Sequence, residues 1–228
     1  MLCGDPGRVP RIARRLENAR TVSEVRGFIV VTGELDGVAV TVASTGIGGP
    51  STAMLVEALI DMGAGTLIRV GTSGSLQSHV GLGDIVIAAA AVRDDGTTKT
   101  YVPAEYPAVA SYEVVAALAE AARQLGYRHH TGVVHSKDAF FIETPERLPA
   151  RLWAEERLRT WIRAGVLATE MECSTLFTLA SIRGVRSGAV LAVVGDTAGG
   201  RPIVDESAGV KEAIDVAVKA VRALAEVG

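Results

Sequence analysis

Aromatic side chains are scarce in this chain: Phe, Tyr and Trp make up only 4% of its 228 residues. Where two stand together, as at Phe140 and Phe141, the pair is worth noting. Cysteine is scarcer still. Cys3 and Cys173 make neither a disulfide framework nor a metal cluster, and Cys173, within a helical apolar pattern, reads as core packing. Neither sign of charge dominates, with 23 basic against 26 acidic residues and a net charge of -3. Nucleic acid and anionic membrane surfaces are therefore not expected partners. No run approaches the ~20 apolar residues that a membrane-spanning helix needs, and the N-terminus has no apolar signal-peptide segment. The expected location is the cytoplasm. Internal repeats, linkers and low-complexity tracts are missing too. With 48% hydrophobic content, residues 1–228 read as one domain with a sizeable core.

What the chain does have is glycine at the ends of apolar strands. Residues 67–75 (LIRVGTSGS) are the stretch around which the rest is organised. Leu67, Ile68 and Val70 form an apolar strand with Arg69 in its middle. A guanidinium cannot shed its charge, so in a strand core it needs an anionic partner. Residues 71–75 read as a Gly-rich turn whose hydroxyls and amides, beside a fixed cation, make a phosphate cradle. The alternative is a structural carboxylate for Arg69 and a turn that is only a turn.

Two more glycine loops precede it. Residues 4–8 (GDPGR) link a short apolar strand to an amphipathic helix over 9–16, and such a turn can present amides to an anion, with Arg8 adding charge. Residues 27–33 and 38–43 read as strands joined by a hairpin turn at Asp36-Gly37. Residues 44–52 (STGIGGPST) then lead into a helix over 53–62. Strand, loop, helix and the strand at 67 make a βαβ unit with parallel pairing. Ligands of such sheets lie beyond the carboxyl ends of the strands, which puts the loops after Ala43 and Val70 on one edge.

Further on, strands are expected over 83–92, 131–136 and 188–194, and helices over 114–125, 170–182 and 208–227. Residues 101–110 are too rich in proline for an interior element, and 145–163 read as surface helices. Phe140 and Phe141 stand at a strand exit, either capping the core or facing a ligand. Glu170 and Glu172 flank Met171 where an apolar helix starts. Capping is one account; the other has a carboxylate accepting hydrogen bonds from vicinal hydroxyls, with Met171 against a sugar. Asp196 ends the last strand and is either a solvated turn residue or a proton donor of raised pKa.

In chain order, GDPGR, VRGF, STGIGGPST, RVGTSGS, DGTT, EYPAVA, SKDAFF, EMECSTLF and VVGD resemble the nucleoside phosphorylase family that includes uridine phosphorylases and hexameric purine nucleoside phosphorylases. The resemblance covers nearly the whole chain. It implies a single-domain, three-layer α/β fold with a mixed, partly barrel-like central sheet flanked by helices. It implies a homo-oligomer, a hexamer built from dimers that share sites. The implied reaction converts a nucleoside and inorganic phosphate to free base and pentose 1-phosphate, with phosphate as co-substrate and no metal or organic cofactor. Carried over by position, the resemblance puts Gly4, Arg8, Arg69 and Thr72 on phosphate and sends Arg26 into a neighbour's site. It puts Glu172 on the ribose hydroxyls, Met171 against the sugar, and Phe140 on the base near Gly74. Three guanidiniums suit phosphate better than water as the nucleophile.

Base preference is divided. STGIGGPST, EYPAVA and the long segment between Phe140 and Glu170 are closer to uridine phosphorylases. Arg147 would supply the arginine that reads the pyrimidine edge there, but Pro145 stands where a glutamine is expected. Asp196 points the other way, since purine enzymes use an aspartate at this place to protonate the leaving base. Uridine is the expected substrate and a purine nucleoside the alternative. The sequence starts at the first glycine loop, so either its start is truncated or the contact that the family's N-terminal histidine makes to a neighbour's ribose is expected to be made otherwise. His79, His129, His130 and His135 do not match that histidine and read as structural or surface residues. Gly27 takes the place of a carboxylate that helps bind potassium in some relatives, so no such ion is expected.

Overall fold

The computed structural model describes residues 1–226, and the side chains of all of them except Arg147 and Glu226. The chain opens with β1 (Leu2–Cys3), α1 (Arg8–Ala13), β2 (Glu17–Val25), β3 (Phe28–Leu35), β4 (Val38–Ser44) and α2 (Gly49–Asp61). Next come β5 (Thr66–Ser75), β6 (Ile85–Asp94), α3 (Thr97–Tyr101), β7 (Ala108–Val109), α4 (Tyr112–Gln124) and β8 (His129–Lys137). Two single 3-10 turns, Phe140–Glu143 and Pro145–Arg147, lead into α5 (Arg151–Arg163), β9 (Ala168–Glu170), α6 (Cys173–Ile182), β10 (Arg186–Asp196) and α7 (Val210–Glu226). No helix among the described residues is long and apolar enough to cross a membrane.

The strands lie in the order β10-β6-β8-β9-β5-β1-β4-β3-β2, and β5 also pairs with β10. That second pairing closes β10, β6, β8, β9 and β5 into a mixed five-stranded barrel. Strands β1, β4, β3 and β2 extend from it as a wing, and the short β7 pairs with β6. Side chains of a strand alternate between faces, and here both faces are buried. Ile68, Ile85, Ile87, Val190, Ala192 and Val194 enter one core with α1, α4 and α7. Leu67, Val86, Ala88, Ala189, Leu191 and Val193 enter the other, against α2 and α6. Burial on both faces is why these strands read as unbroken apolar runs. Arg69 shares the parity of Leu67 and so points to the α6 side.

The helices follow the same logic. Val114, Leu118, Ala121 and Ala122 form the buried stripe of α4, at the spacing of one helical face. In α6 every residue from Cys173 to Ala180 is buried, so that helix has no polar stripe to find. Asp36 and Gly37 both take positive φ, 50° and 80°, the conformation of a tight two-residue hairpin.

Three expectations are corrected and one unread strand is added. Residues 71–75 are not a turn: β5 runs on through Ser75, paired with β10 from Thr66 to Ser75. Its glycines serve close packing, since a Cβ on Gly71 would lie 2.7 Å from Leu191 and 2.8 Å from the Arg69 guanidinium. Second, β4 and β5 are parallel but not adjacent, because β1 lies between them and parallel to both. Third, β2 was hidden in a polar segment; it is an exposed edge strand, antiparallel to β3, and lacks the apolar alternation that marks a half-buried one. Fourth, Glu170 ends β9 and does not open the helix, which starts at Cys173.

One consequence of β5 having three neighbours positions the site. Along one edge it pairs with β10 throughout. Along the other it pairs with β1 at Arg69 and with β9 only from Gly74 onward. The sheet forks between those points. There the Val70 carbonyl accepts a hydrogen bond from Arg8 Nη1 at 3.0 Å. If Gly71 belongs to a packed strand, Gly71→Ala should destabilise the protein by roughly 1–3 kcal/mol through overpacking. Urea denaturation with an unchanged m-value would read this, and a loss below a few tenths of a kcal/mol would return residues 71–75 to a loop.

Candidate active site

A cleft of about 910 Å³ opens at the fork. Its walls bring together Gly4, Arg8, Arg26, Arg69, Thr72, Gly74, Phe140, Met171 and Glu172, residues drawn from most of the chain's length. The cleft lining does not include Asp196, and the Arg147 side chain lies outside those described.

Arg69 forms the floor. Its Nε lies 3.3 Å from Glu170 Oε2, and its Nη2 pairs with Glu172 Oε2, all three side chains being almost fully buried. Burial works against the guanidinium charge, but Glu172 and Glu170 more than offset it and its pKa is raised. Arg69 thus has its structural carboxylates and lines the cleft as well. Glu170 does the capping: it accepts from the backbone N–H groups of Glu172 at 2.8 Å and Cys173 at 3.0 Å. That frees Glu172, the N-cap residue of α6, whose own carboxylate makes no cap bond. Glu172 turns to the cleft instead and accepts from the Gly48 N–H at 2.6 Å. Burial raises the Glu172 pKa against the pull of Arg69. Gly48 donates from a left-handed conformation, φ 83°, which explains why STGIGGPST needs glycine there.

Arg8 lies beside this group. The Asp5 side chain accepts from the Gly7 N–H at 2.8 Å, a local turn that starts α1 at Arg8 and aims its side chain inward. Burial, and behind it the like charge of Arg69, lowers the Arg8 pKa. Among the described residues Arg8 has no carboxylate within ion-pair distance. Buried nitrogens of both arginines, Arg8 Nε and Arg69 Nη1, lack a hydrogen-bond partner. Two guanidiniums with unused donors in one cleft make an anion site. Gly4 packs closely here, since a Cβ on it would stand 3.3 Å from the Gly46 carbonyl oxygen. Arg26 sits at the mouth, exposed, in a left-handed turn with φ 53°.

Phe140 also lines the cleft, edge-on to Phe141 with ring centroids 5.4 Å apart. Phe141 is exposed, so neither ring caps the core. Asp196 is tied to the surface: its carboxylate accepts from Arg201 Nη2 at 2.8 Å and from the Gly199 N–H at 2.9 Å. Arg201 and that N–H lower its pKa, opposite to what a proton donor to a leaving base requires. The solvated-turn account of Asp196 is the one its surroundings fit. His135 is buried between Asp94 and Thr169, at 2.8 and 3.1 Å, and does not line the cleft. Lys137 and Glu143 are among the cleft residues that went unread in the sequence. A lysine closing an apolar strand was the available signal, but only the turn at 140–143 brings Glu143 to it.

A sequence profile described as the phosphorylase superfamily matches residues 1–228. The chain is 44% identical over 227 residues to a uridine phosphorylase of Treponema pallidum, covering 98% of this chain and 88% of the relative. It is 44% identical over 233 residues to a uridine phosphorylase of Thermococcus kodakarensis, covering 99% and 82%. A guanosine phosphorylase of Halorubrum lacusprofundi is 40% identical over 197 residues, covering 86% and 78%.

The division of labour between the two glutamates can be measured. Glu170→Ala removes a helix cap and one carboxylate from a buried cation, and should lower stability by about 2–4 kcal/mol. Glu172→Gln, which keeps an oxygen for the Gly48 N–H, should lose less than half as much. Equal losses in chemical denaturation would contradict the assignment.

Proposed function

The chain belongs to the phosphorylase superfamily, and from that membership we propose that it catalyses the reversible phosphorolysis of uridine to uracil and ribose 1-phosphate. The observation that carries this reading is the pair of buried arginines, Arg8 and Arg69, with unsatisfied nitrogens in one cleft. Hydrolysis has no use for such a pair; a phosphate dianion does. In this reading Arg8, Arg69, Thr72 and Gly4 hold the phosphate. Glu172 accepts hydrogen bonds from the ribose hydroxyls, Met171 packs on the sugar, and Phe140 stacks on the base near Gly74.

A phosphate oxygen attacks the anomeric carbon as the bond to the base nitrogen breaks, and that electron pair leaves with the base. In the transition state positive charge gathers on the sugar and negative charge on the base. Bound phosphate stabilises the cationic sugar and is held in line for attack. Glu172, fixed between Arg69 and the Gly48 N–H, adds its negative charge beneath the ribose. Phosphate is the co-substrate, and the chemistry as drawn calls for no metal or organic cofactor.

The reading extends to a cytoplasmic homo-oligomer, a hexamer of dimers in which Arg26 reaches a neighbour's phosphate. The exposed Val25 and Ile47 near the mouth support a covered surface there. A purine nucleoside is the second reading, favoured by the relative named guanosine phosphorylase. The surroundings of Asp196 count against the form of it in which that residue protonates the base.

A panel of uridine, thymidine, inosine, adenosine and guanosine, each with and without phosphate, tests the reaction. Phosphate-dependent release of uracil is expected, and undiminished release without phosphate would replace phosphorolysis by hydrolysis. Arg69→Ala should abolish turnover or raise the phosphate requirement steeply. Asp196→Asn should change uridine cleavage less than about threefold, as expected of a surface polar residue; a collapse would bring Asp196 back into the chemistry.

A further inference from the structure

Beside Phe140 the cleft contains a charged pair that the reaction as drawn does not use. Lys137 ends β8, and the turn carrying Phe140 brings Glu143 back over it. The two side chains form an ion pair, each only 4% exposed. Lys137 Nζ also donates to Thr169 Oγ1 at 2.8 Å, and Glu143 Oε2 accepts from Thr197 Oγ1 at 2.9 Å. Both charged residues line the cleft, and Phe140 stands midway between them in sequence.

Burying such a pair is rarely the most stable choice, since apolar residues of similar volume often do as well or better. Its value lies in what it can recognise. An ammonium has three donors, and Glu143 and Thr169 occupy two. A carboxylate has about four acceptor sites, of which Lys137 and Thr197 use two. One cationic donor and anionic lone pairs remain on two residues that, like Phe140, line the cleft.

We infer that the Lys137–Glu143 pair reads the edge of the base, selecting nucleosides whose base presents a lactam, a carbonyl beside a ring N–H. Lys137 donates to the carbonyl oxygen and Glu143 accepts from the N–H. Uracil, thymine, hypoxanthine and guanine carry this edge. Cytosine and adenine present an amino donor beside a ring-nitrogen acceptor, the reverse order, and leave both charges mismatched. This rests on the cleft being the nucleoside site. It deepens that reading by naming the class of base, pyrimidine or purine, that the site takes.

The wild-type protein tests it. With phosphate present, 3-methyluridine, whose N–H is blocked, and cytidine should each show kcat/KM at least about 100-fold below uridine, because a site built around a hydrogen bond rejects analogues that lack it. 5-Methyluridine, which keeps the edge, should stay within about tenfold. Cleavage of 3-methyluridine within threefold of uridine would overturn the assignment while leaving phosphorolysis intact. Release of base from no nucleoside would instead sink the phosphorylase reading. Calorimetry with free uracil, 3-methyluracil and cytosine then reads the pair without turnover: uracil alone should bind, and equal affinities or no binding at all would overturn it. Glu143→Gln supplies an amide N–H that suits a ring acceptor. It should lower the uridine-to-cytidine ratio of kcat/KM at least about tenfold, and an unchanged ratio would count against the pair.

Discussion

One buried cation organises this molecule. Arg69 stands in the middle of β5, where both faces of the strand are packed, and its charge is tolerable only because Glu170 and Glu172 meet it from the β9–α6 junction. A single charge in an apolar core would be prohibitive, whereas a hydrogen-bonded cluster of one cation and two anions is not. The cluster ties the barrel strand to the helix behind it and leaves a guanidinium nitrogen of a cleft-lining residue without a partner. The two carboxylates that meet Arg69 make different backbone contacts. Glu170 satisfies the start of α6, so Glu172 is spared for the cavity.

The fork in the sheet gives this cluster somewhere to act. Because β5 leaves β1 before it meets β9, its edge is open for a few residues without a loop being inserted. The site thus stands on strand backbone held by barrel pairing along the opposite edge. Rigid support of that kind suits a reaction that depends on position and fixed charge more than on a reactive group.

Much of this was legible in the residues. Unbroken apolar runs marked the barrel strands, the 3.6-residue stripe marked α4, and Asp36-Gly37 marked its hairpin. Arg69 could be singled out because a guanidinium among Leu67, Ile68 and Val70 has few explanations. Other features were hidden for identifiable reasons. Glycines at 71 and 74 look like turn residues until one knows that Leu191 and Thr197 press against them. β2 is exposed along nearly its whole length and carries no pattern to read. Glu170 and Glu172 looked equivalent at a helix start, and only the pairing of β9 with β5 and β8 separates their roles. Asp196 kept two readings open until its neighbour Arg201 was known. Lys137 and Glu143 were silent because their meeting depends on a turn with no sequence signature.

Barrel closure also bears on how the chain comes to exist. The strand that flanks β5 along its whole length is β10, the last to be synthesised, separated from it by more than a hundred residues. Until β10 leaves the ribosome, the glycine-rich half of β5 has no partner along that edge, and the face meant for Leu191 is open to water. Contacts of such long range make folding slow and nascent chains prone to aggregation. The same architecture that fixes Arg69 in the finished protein thus leaves that edge of β5 unpaired in the growing polypeptide until β10 has emerged.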